Sequence, residues 1–395
     1  MQDSGSPPVS ASEIPTTATA PALDPRANRS ALLIVFLVMF IDLLGFGIVL
    51  PLLPRYGREI LDPLYPGYEN RHVQSMILGL LMSSFSLMQF IFAPIWGRLS
   101  DREGRRPFLL LGLTGSVLFY ALFGFASDLG PGRELLSLGL LFVARIGAGI
   151  AGATVSTAQA VIADCTPPER RSHGMALIGA AFGIGFTFGP LLGAGPCYVA
   201  CGFSFIALIL AVRLMPETLR TGVAAGHRGW FNLSGLRLAL QTPTVGTLIL
   251  AFFLSTLAFA CFEPTLALLT QDLLGYSDRA NFLVFAYVGL VLTLAQGILY
   301  RRLAKRGVGE IPLMLIGAAL MAVGLGAVGA AAALKADYPP TASVLVAFLA
   351  AITVAVVGFS FVTPSASALI SRRSDPAKQG EILGVNQSAN AVSRI

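Results

Sequence analysis

Gly97-Arg98-Leu99-Ser100-Asp101-Arg102-Glu103-Gly104-Arg105-Arg106 is the densest block of charge in a chain of 395 residues. It stands between two apolar segments, about 75–97 and 107–127. A predominantly apolar run of about 20 residues is what a helix needs to cross a hydrocarbon core about 30 Å thick. The block therefore reads as a tight loop joining two membrane spans. A weakened copy runs from Gly297 to Arg306, with Gly97 matching Gly297, Leu99 matching Leu299, Arg102 matching Arg302 and Arg106 matching Arg306. In the copy, Arg301 stands at the Asp101 position and Ala304 at the Gly104 position. A second pair of matching stretches, Pro168 to Gly174 and Pro376 to Gly380, each precedes a further span. The chain thus reads as two related halves, the plan of parallel repeats found in some transporters.

Composition agrees. Hydrophobic residues make up 55% of the chain and charged residues 12%, against about 25% charged in soluble domains. Segments of alternating hydrophobicity, as a membrane β-barrel needs, are absent from the sequence. Spans are expected at about 31–54, 75–97, 107–127, 135–157 (with the helix continuing towards Asp164), 173–195, 197–215, 244–270, 280–303, 310–334, 341–369 and from 380 onward. Residues 1–30, rich in Ser, Pro, Thr and Ala, read as a disordered tail. Residues 31–216 read as an N-terminal six-helix bundle, 217–243 as a middle loop, and 244–395 as a C-terminal bundle cut short in its eleventh span. Of the 27 Lys and Arg, six (Arg55, Arg58, Arg71, Arg133, Arg279 and Lys335) fall on one side, Arg145 and Arg394 lie within spans, and the rest fall on the other side. By the positive-inside bias the N-terminus and the middle loop are cytoplasmic. The net charge of +6 follows from this loop placement and points to no nucleic-acid partner.

Ionisable groups inside spans are costly, about 2.5–3.5 kcal/mol on insertion scales, and mark function by default. Asp42 lies midway along the first span and Arg145 near the middle of the fourth. Arg keeps its proton, so Arg145 needs an anion, and Asp42 is the candidate. Two readings stay open: an Asp that takes up and releases protons, or a static ion pair that fixes packing. Glu263 precedes Pro264 in the seventh span; it faces a cavity beside a proline kink, or sits near the outer end where water reaches it. Gly183, Gly185, Gly189, Pro190 and Gly193 follow one another along the fifth span, where small residues permit close helix crossings. In the loop, Asp101 is placed to cap the following helix or to accept the N-terminus of a neighbouring one. Gln89, Gln159, Gln296, Asn386, Gln387 and Asn390 are the polar residues inside spans; they line a cavity or link helices.

The sequence lacks a phosphate-binding GxxxxGK[ST] loop, and His72, His173 and His227 are scattered. Cys197 and Cys201, one helical turn apart, have no Cys/His partners for zinc and read as buried thiols. No metal, cofactor or enzymatic reaction is indicated.

These motifs resemble the major facilitator superfamily, and within it the twelve-span drug:proton antiporters related to the tetracycline exporters. Gly97 to Arg106 resembles the loop signature G-x-L-x-D-x-x-G-R-[RK]. Leu44-Gly45 through Pro51 and Pro54 resembles the first-span pattern of that group. Arg145-x-Gly147-x-Gly149 resembles the fourth-span pattern, with Ile146 where Gln is usual. Gly185-x3-Gly189-Pro190-x2-Gly193 resembles the fifth-span antiporter motif, with Ala176 and Ala194 replacing glycines of its longer form. The His and Asp of the second half of tetracycline exporters have no match. The resemblance, which covers 31–395, implies an all-α fold of two six-helix bundles related by a pseudo-two-fold repeat, with the last one to two spans missing from this chain. It implies that spans one, four, seven and ten line a central cavity, with Asp42, Arg145 and Glu263 around it. In the family the loop-signature Asp helps latch one conformation, which maps to Asp101 within the loop Gly97, Asp101, Arg102, Gly104, Arg105 and Arg106. The fourth-span Arg is linked to proton transfer (Arg145), and a first-span acid to coupling (Asp42). The implied activity is proton-driven export of small, mostly hydrophobic compounds by a monomer in the inner membrane. Its partners are the lipid bilayer, protons and the small-molecule substrate. An uptake carrier for a metabolite and a non-transporting sensor are the alternatives.

Overall fold

The structure is a computed structural model that describes residues 25–192, 196–219, 243–274, 278–333, 342–375 and 378–395; within these helices a few side chains, Asp42's among them, lie outside the description. The chain folds into helices throughout: α1 (Pro25–Tyr56), α2 (Arg71–Glu103), α3 (Arg105–Ser127), α4 (Glu134–Gly152), α5 (Val155–Cys165), α6 (Arg171–Leu192), α7 (Pro196–Leu214), α8 (Pro243–Leu274), α9 (Asp278–Leu294), α10 (Glu310–Ala333), α11 (Ala342–Arg373) and α12 (Gln379–Val392). A bilayer offers the backbone no hydrogen bonds, so a spanning segment must satisfy its own. Among the described residues, eight helical segments are long and apolar enough to cross a membrane, α4 and α5 counting as one.

Most expected spans match a helix, with instructive departures. The first helix begins at Pro25, so residues 25–30 of the expected tail are its opening turns; Pro fits there because its missing N–H is unpaired at a helix start anyway. Residues 1–24 and 220–242, including most of the middle loop, lie outside the described residues. The fourth span pauses at Ala153 and Thr154 before continuing as α5 to Cys165.

The two copies of the charged loop turn differently. Gly104 separates α2 from α3 with φ +109°, a conformation that side chains with a Cβ rarely adopt. Ala304 cannot take that role. After α9 the chain therefore passes through a π-helical segment (Ala295–Tyr300) and a helical turn (Arg301–Lys305), and reverses at Gly307, φ +85°. There the Gly307 N–H donates to the Ala304 carbonyl and the Val308 N–H to that of Leu303, a glycine C-cap.

Four apolar clusters form the interior of the described residues, two of them large. The larger gathers Ile34, Leu81, Leu109, Leu141, Ile162 and Ala207 from α1 to α7. The smaller gathers Phe259, Val288, Met321, Phe348 and Ile352 from α8 to α11. Large apolar side chains also face outward, Leu135 at 73% exposure and Val323 at 67%, as a lipid-facing belt requires. Two close crossings join the two halves of the chain, α2 with α12 and α6 with α9. Both are built on glycine. A Cβ on Gly384 would lie 2.6 Å from Pro94 Cα, and one on Gly183 would lie 2.4 Å from Thr293 Oγ1. Lipid is as apolar as leucine, so helices in membranes associate through this sort of close packing.

The charged loop meets the start of α12 while Arg171 Nη1 donates to the Ser371 carbonyl (3.2 Å) and Arg372 pairs with Glu310 (3.0 Å). The ends of α2, α5, α7 and α11 and the starts of α3, α6, α10 and α12 therefore share one end of the molecule, hereafter the loop end.

Candidate functional site

At the loop end, Asp101 does not cap the helix that follows it. Its Oδ1 accepts the Gly380 N–H at 2.9 Å and its Oδ2 the Glu381 N–H at 2.8 Å, so the carboxylate sits on the N-terminus of α12, nearly 280 residues away in sequence. Unpaired amides and the helix dipole make that terminus a ready anion site. Asp101 and Arg105 are 6% and 1% exposed. The Arg105 guanidinium holds both Asp101 (2.6 Å) and Asp164 at the end of α5 (3.1 Å), and donates to Ser100 Oγ (2.8 Å). Beside it Arg98 pairs with Glu381 at 2.9 Å. The backbones are nearly in contact: a Cβ on Gly97 would lie 2.1 Å from the Gly380 carbonyl oxygen. Arg102 is exposed.

The N-terminus of α3, which Asp101 leaves uncapped, is taken by Glu217. Its carboxylate accepts the N–H groups of Arg105 (2.8 Å) and Arg106 (3.2 Å), and a Cβ on Gly104 would lie 2.4 Å from its Oε2. Arg106 reaches the Val212 carbonyl at 2.7 Å. Sequence reasoning missed Glu217, Glu381 and Asp164 as partners. Each ends or begins a span, and an acid at a helix end carries no signal of which other helix it meets.

Between the two large clusters lies a cavity of about 100 Å³. Spans one, four, seven and ten contribute Met39, Gln159, Thr256 and Phe359, and α2, α6 and the turn that follows α12 add Phe85, Phe182 and Arg394. Of the six in-span amides, Gln89, Gln159, Gln296, Gln387 and Asn390 reach the wall. Asn386 is fully buried with both ends of its amide unpaired. Glutamines from four separate helical segments become one lining only through the tertiary fold.

Arg394 is a lining residue, whereas Arg145 and Glu263 are not among the described lining residues. Arg145 stands behind Phe85, its guanidinium 4.5 Å from that ring's centre, and donates to the α2 carbonyls of Leu81 (3.5 Å) and Met82 (3.3 Å). Backbone oxygens and an aromatic face thus take up part of the charge. Asp42 lies in α1, its side chain outside the description. Glu263 is 6% exposed, and its Oε1 has no hydrogen-bond partner. It is not reached by water at the end of its span. Phe252, Thr256, Phe259 and Glu263 share one face of α8 by helical spacing. The first two line the cavity, and Phe259 stacks on Phe359 at 4.0 Å.

In α6, Gly183, which precedes the antiporter-like motif, serves the crossing with α9. Thr187 Oγ1 caps the Gly183 carbonyl (2.7 Å), Thr293 Oγ1 caps that of Gly289 (2.8 Å), and each threonine occupies the space a Cβ on the opposite glycine would need. Gly185 is buried in the same helix; Gly189 and Pro190 continue it, and Gly193 lies outside the described residues.

The chain has recognisable relatives. A family model described as Major Facilitator Superfamily matches residues 34–395. Major facilitator superfamily domain-containing protein 10 of Mus musculus is 30% identical, over 94% of this chain and 86% of that protein. The class C tetracycline resistance protein of Escherichia coli is 31% identical, over 93% of this chain and 88% of that protein. Among solved structures, the human organic anion transporter MFSD10 (TETRAN) superposes with a TM-score of 0.75 at 28% identity, covering 94% of this chain and 92% of that one.

Proposed function

The chain belongs to the Major Facilitator Superfamily and is a multi-pass membrane transporter; from that premise we propose that it exports small, largely apolar compounds in exchange for protons. The observation that carries alternating access is the seat of Asp101 on the α12 N-terminus. Those bonds join residues 97–105 of one half to residues 380–381 of the other, and they can form only while the loop end is shut. Opening that end must break them, so the bonds bias an equilibrium between two states. Asp101, with Gly97, Gly104 and Arg105, acts as the latch, and Arg106 anchors the loop to α7.

The halves that rock are 31–216 and 244–395, joined through the loop 217–243. The loop end is cytoplasmic, as the excess of Lys and Arg there favours, and the working unit is a monomer in the inner membrane. Glu263 carries the proton: a buried carboxylate with an unpaired oxygen, on the side of α8 whose Phe252 and Thr256 line the cavity. Asp42 is the second candidate, and Arg145 positions α2 and Phe85 for whichever acid serves. One proton crossing a potential is worth about 2.3 kcal/mol per 100 mV, enough to concentrate a neutral solute many-fold. Kinship with tetracycline resistance proteins and the fifth-span pattern Gly185 to Gly193, which resembles the antiporter motif, support the direction of export.

The test uses everted vesicles that hold a proton gradient, read by a pH-sensitive dye while lipophilic drugs are added. Drug-induced proton release that Glu263→Gln abolishes supports the assignment. Release that survives Glu263→Gln and is lost in Asp42→Asn moves the proton to Asp42. Absence of release with every drug, in folded protein, overturns antiport.

A further inference from the structure

A second opening lies at the loop end and shares no lining residue with the central cavity. It is a groove of about 420 Å³ between the start of α10 and the end of α11, lined by Glu310, Ile311, Pro312, Leu369, Arg372 and Arg373. The apolar stretch of α10, Glu310–Ala333, begins there, and that of α11, Ser343–Arg373, ends there. The groove therefore sits where a span leaves the hydrocarbon and meets the lipid headgroups.

Its charge is unbalanced. Arg372 Nη1 reaches both oxygens of Glu310, at 3.0 and 3.1 Å, so that pair is neutral as a unit. Arg373 is exposed, and the ion pairs among the described residues leave it without a carboxylate. A basic residue in the last turn of a helix can serve the final carbonyls, but these are already taken. Ser374 Oγ donates to the Ile370 carbonyl at 2.5 Å, and the Ser371 carbonyl accepts Gln379 Nε2 at 2.8 Å and Arg171 Nη1 at 3.2 Å. Arg302, Lys305 and Arg306, all exposed, stand in the turn just before α10. The first N–H groups of α10 add partial positive charge of their own.

Beyond the charges the wall turns apolar. Ile311 lines the groove and is 51% exposed, and Leu315, one turn further into the span, is 65% exposed. A soluble anion would meet only the arginines. A molecule with an anionic head and an apolar tail would meet both surfaces, and basic pockets between helices on the cytoplasmic side suit such headgroups.

We propose that this groove binds the headgroup of an anionic phospholipid, with the phosphate at Arg373 and an acyl chain along Ile311 and Leu315. The site concerns the bilayer and not the transported compound, so it stands or falls independently of the transport reading above.

The test uses the full chain with its four cysteines replaced and a bimane fluorophore attached at Leu315→Cys. The protein is reconstituted in phosphatidylcholine vesicles. Phosphatidylglycerol with brominated acyl chains, which quench on contact, is added in rising fraction, and brominated phosphatidylcholine is the comparison. Phosphatidylglycerol is expected to quench at about a fivefold lower fraction, the worth of one arginine near an anionic headgroup. Arg373→Gln is expected to remove that preference and Arg373→Lys to keep it. A bimane at Leu135→Cys, 73% exposed at the start of α4 and so at the opposite end of the molecule, is expected to show none. Equal quenching by the two lipids at position 315, an equal preference at position 135, or a preference that persists in Arg373→Gln overturns the inference. Glycerol 3-phosphate in the buffer is expected to leave the quenching unchanged; relief of quenching would mean that a soluble phosphate is the occupant and would overturn the lipid assignment. The comparison of lipids needs only the reporter cysteine, so misfolding of an arginine variant cannot mask the result.

Discussion

Replacing Asp101 by Asn removes the charge from the contact that holds α12 to the end of α2. Its effect on the balance of states can be worked from the contacts. The Asp101–Arg105 pair, four residues apart at 2.6 Å, lies within one half, so its loss weakens the open and closed states alike and cancels. The two bonds to the Gly380 and Glu381 N–H groups exist only when the loop end is closed. Asn offers one acceptor oxygen in place of two and turns an NH₂ towards the other amide. At least one charge-assisted hydrogen bond is lost, worth about 1.5–3 kcal/mol, and with it the attraction of a full charge for the helix N-terminus, about 0.3–1 kcal/mol. A shift of about 3 kcal/mol towards the open state follows, roughly 10²-fold in population at 1.4 kcal/mol per decade. Ser388→Cys reports it. Ser388 Oγ donates to the Phe90 carbonyl at 2.7 Å and the residue is 7% exposed, so a thiol there meets a maleimide only when α2 and α12 part. With the four native cysteines replaced, the labelling rate should rise about 10²-fold in Asp101→Asn. A rise below about threefold, in protein that remains folded, would refute the assignment of the closed state to this carboxylate.

Three further substitutions probe neighbouring contacts. Gly380→Val places side-chain atoms against the Gly97 carbonyl, which a Cβ alone would approach to 2.4 Å; Ser388→Cys labelling should become fast and transport should fall below a tenth of wild type, while expression is retained. Reversing the Arg98–Glu381 pair (2.9 Å, side chains 14% and 9% exposed) should restore the labelling rate that Arg98→Glu alone raises, with a coupling of about 1 kcal/mol in a double-mutant cycle. Glu217→Ala uncaps α3 and should lower stability by about 1–2 kcal/mol, read as a fall in Tm of the solubilised protein, with the Ser388→Cys labelling rate unchanged.

Much of the fold was legible because a membrane helix keeps its backbone hydrogen bonds inside one continuous segment. Span positions therefore follow from local hydropathy, and the start of α1 was misplaced only because a polar first turn looks like tail. The loop signature pointed to Asp101, and the in-span amides were named before their common cavity was known. The partners were not legible. Asp101 had two permitted roles, and choosing α12 over α3 depended on Gly97 and Gly380 letting two backbones meet while Glu217 filled the cap that Asp101 left. That Arg145 stacks on Phe85 and donates to carbonyls of α2 was not legible either, because those partners lie about sixty residues away in sequence.

The sequence alone determined the class of the molecule, its spans, its internal repeat and the loss of the acid and glycine from the second loop copy, since each is a property of short contiguous stretches. The tertiary structure alone decided what those stretches meet. Carboxylates, amides and guanidinium groups act over a few ångströms, and only the packing of helices distant in sequence brings Asp101 to the α12 N-terminus, or Arg394 and Gln296 to one cavity.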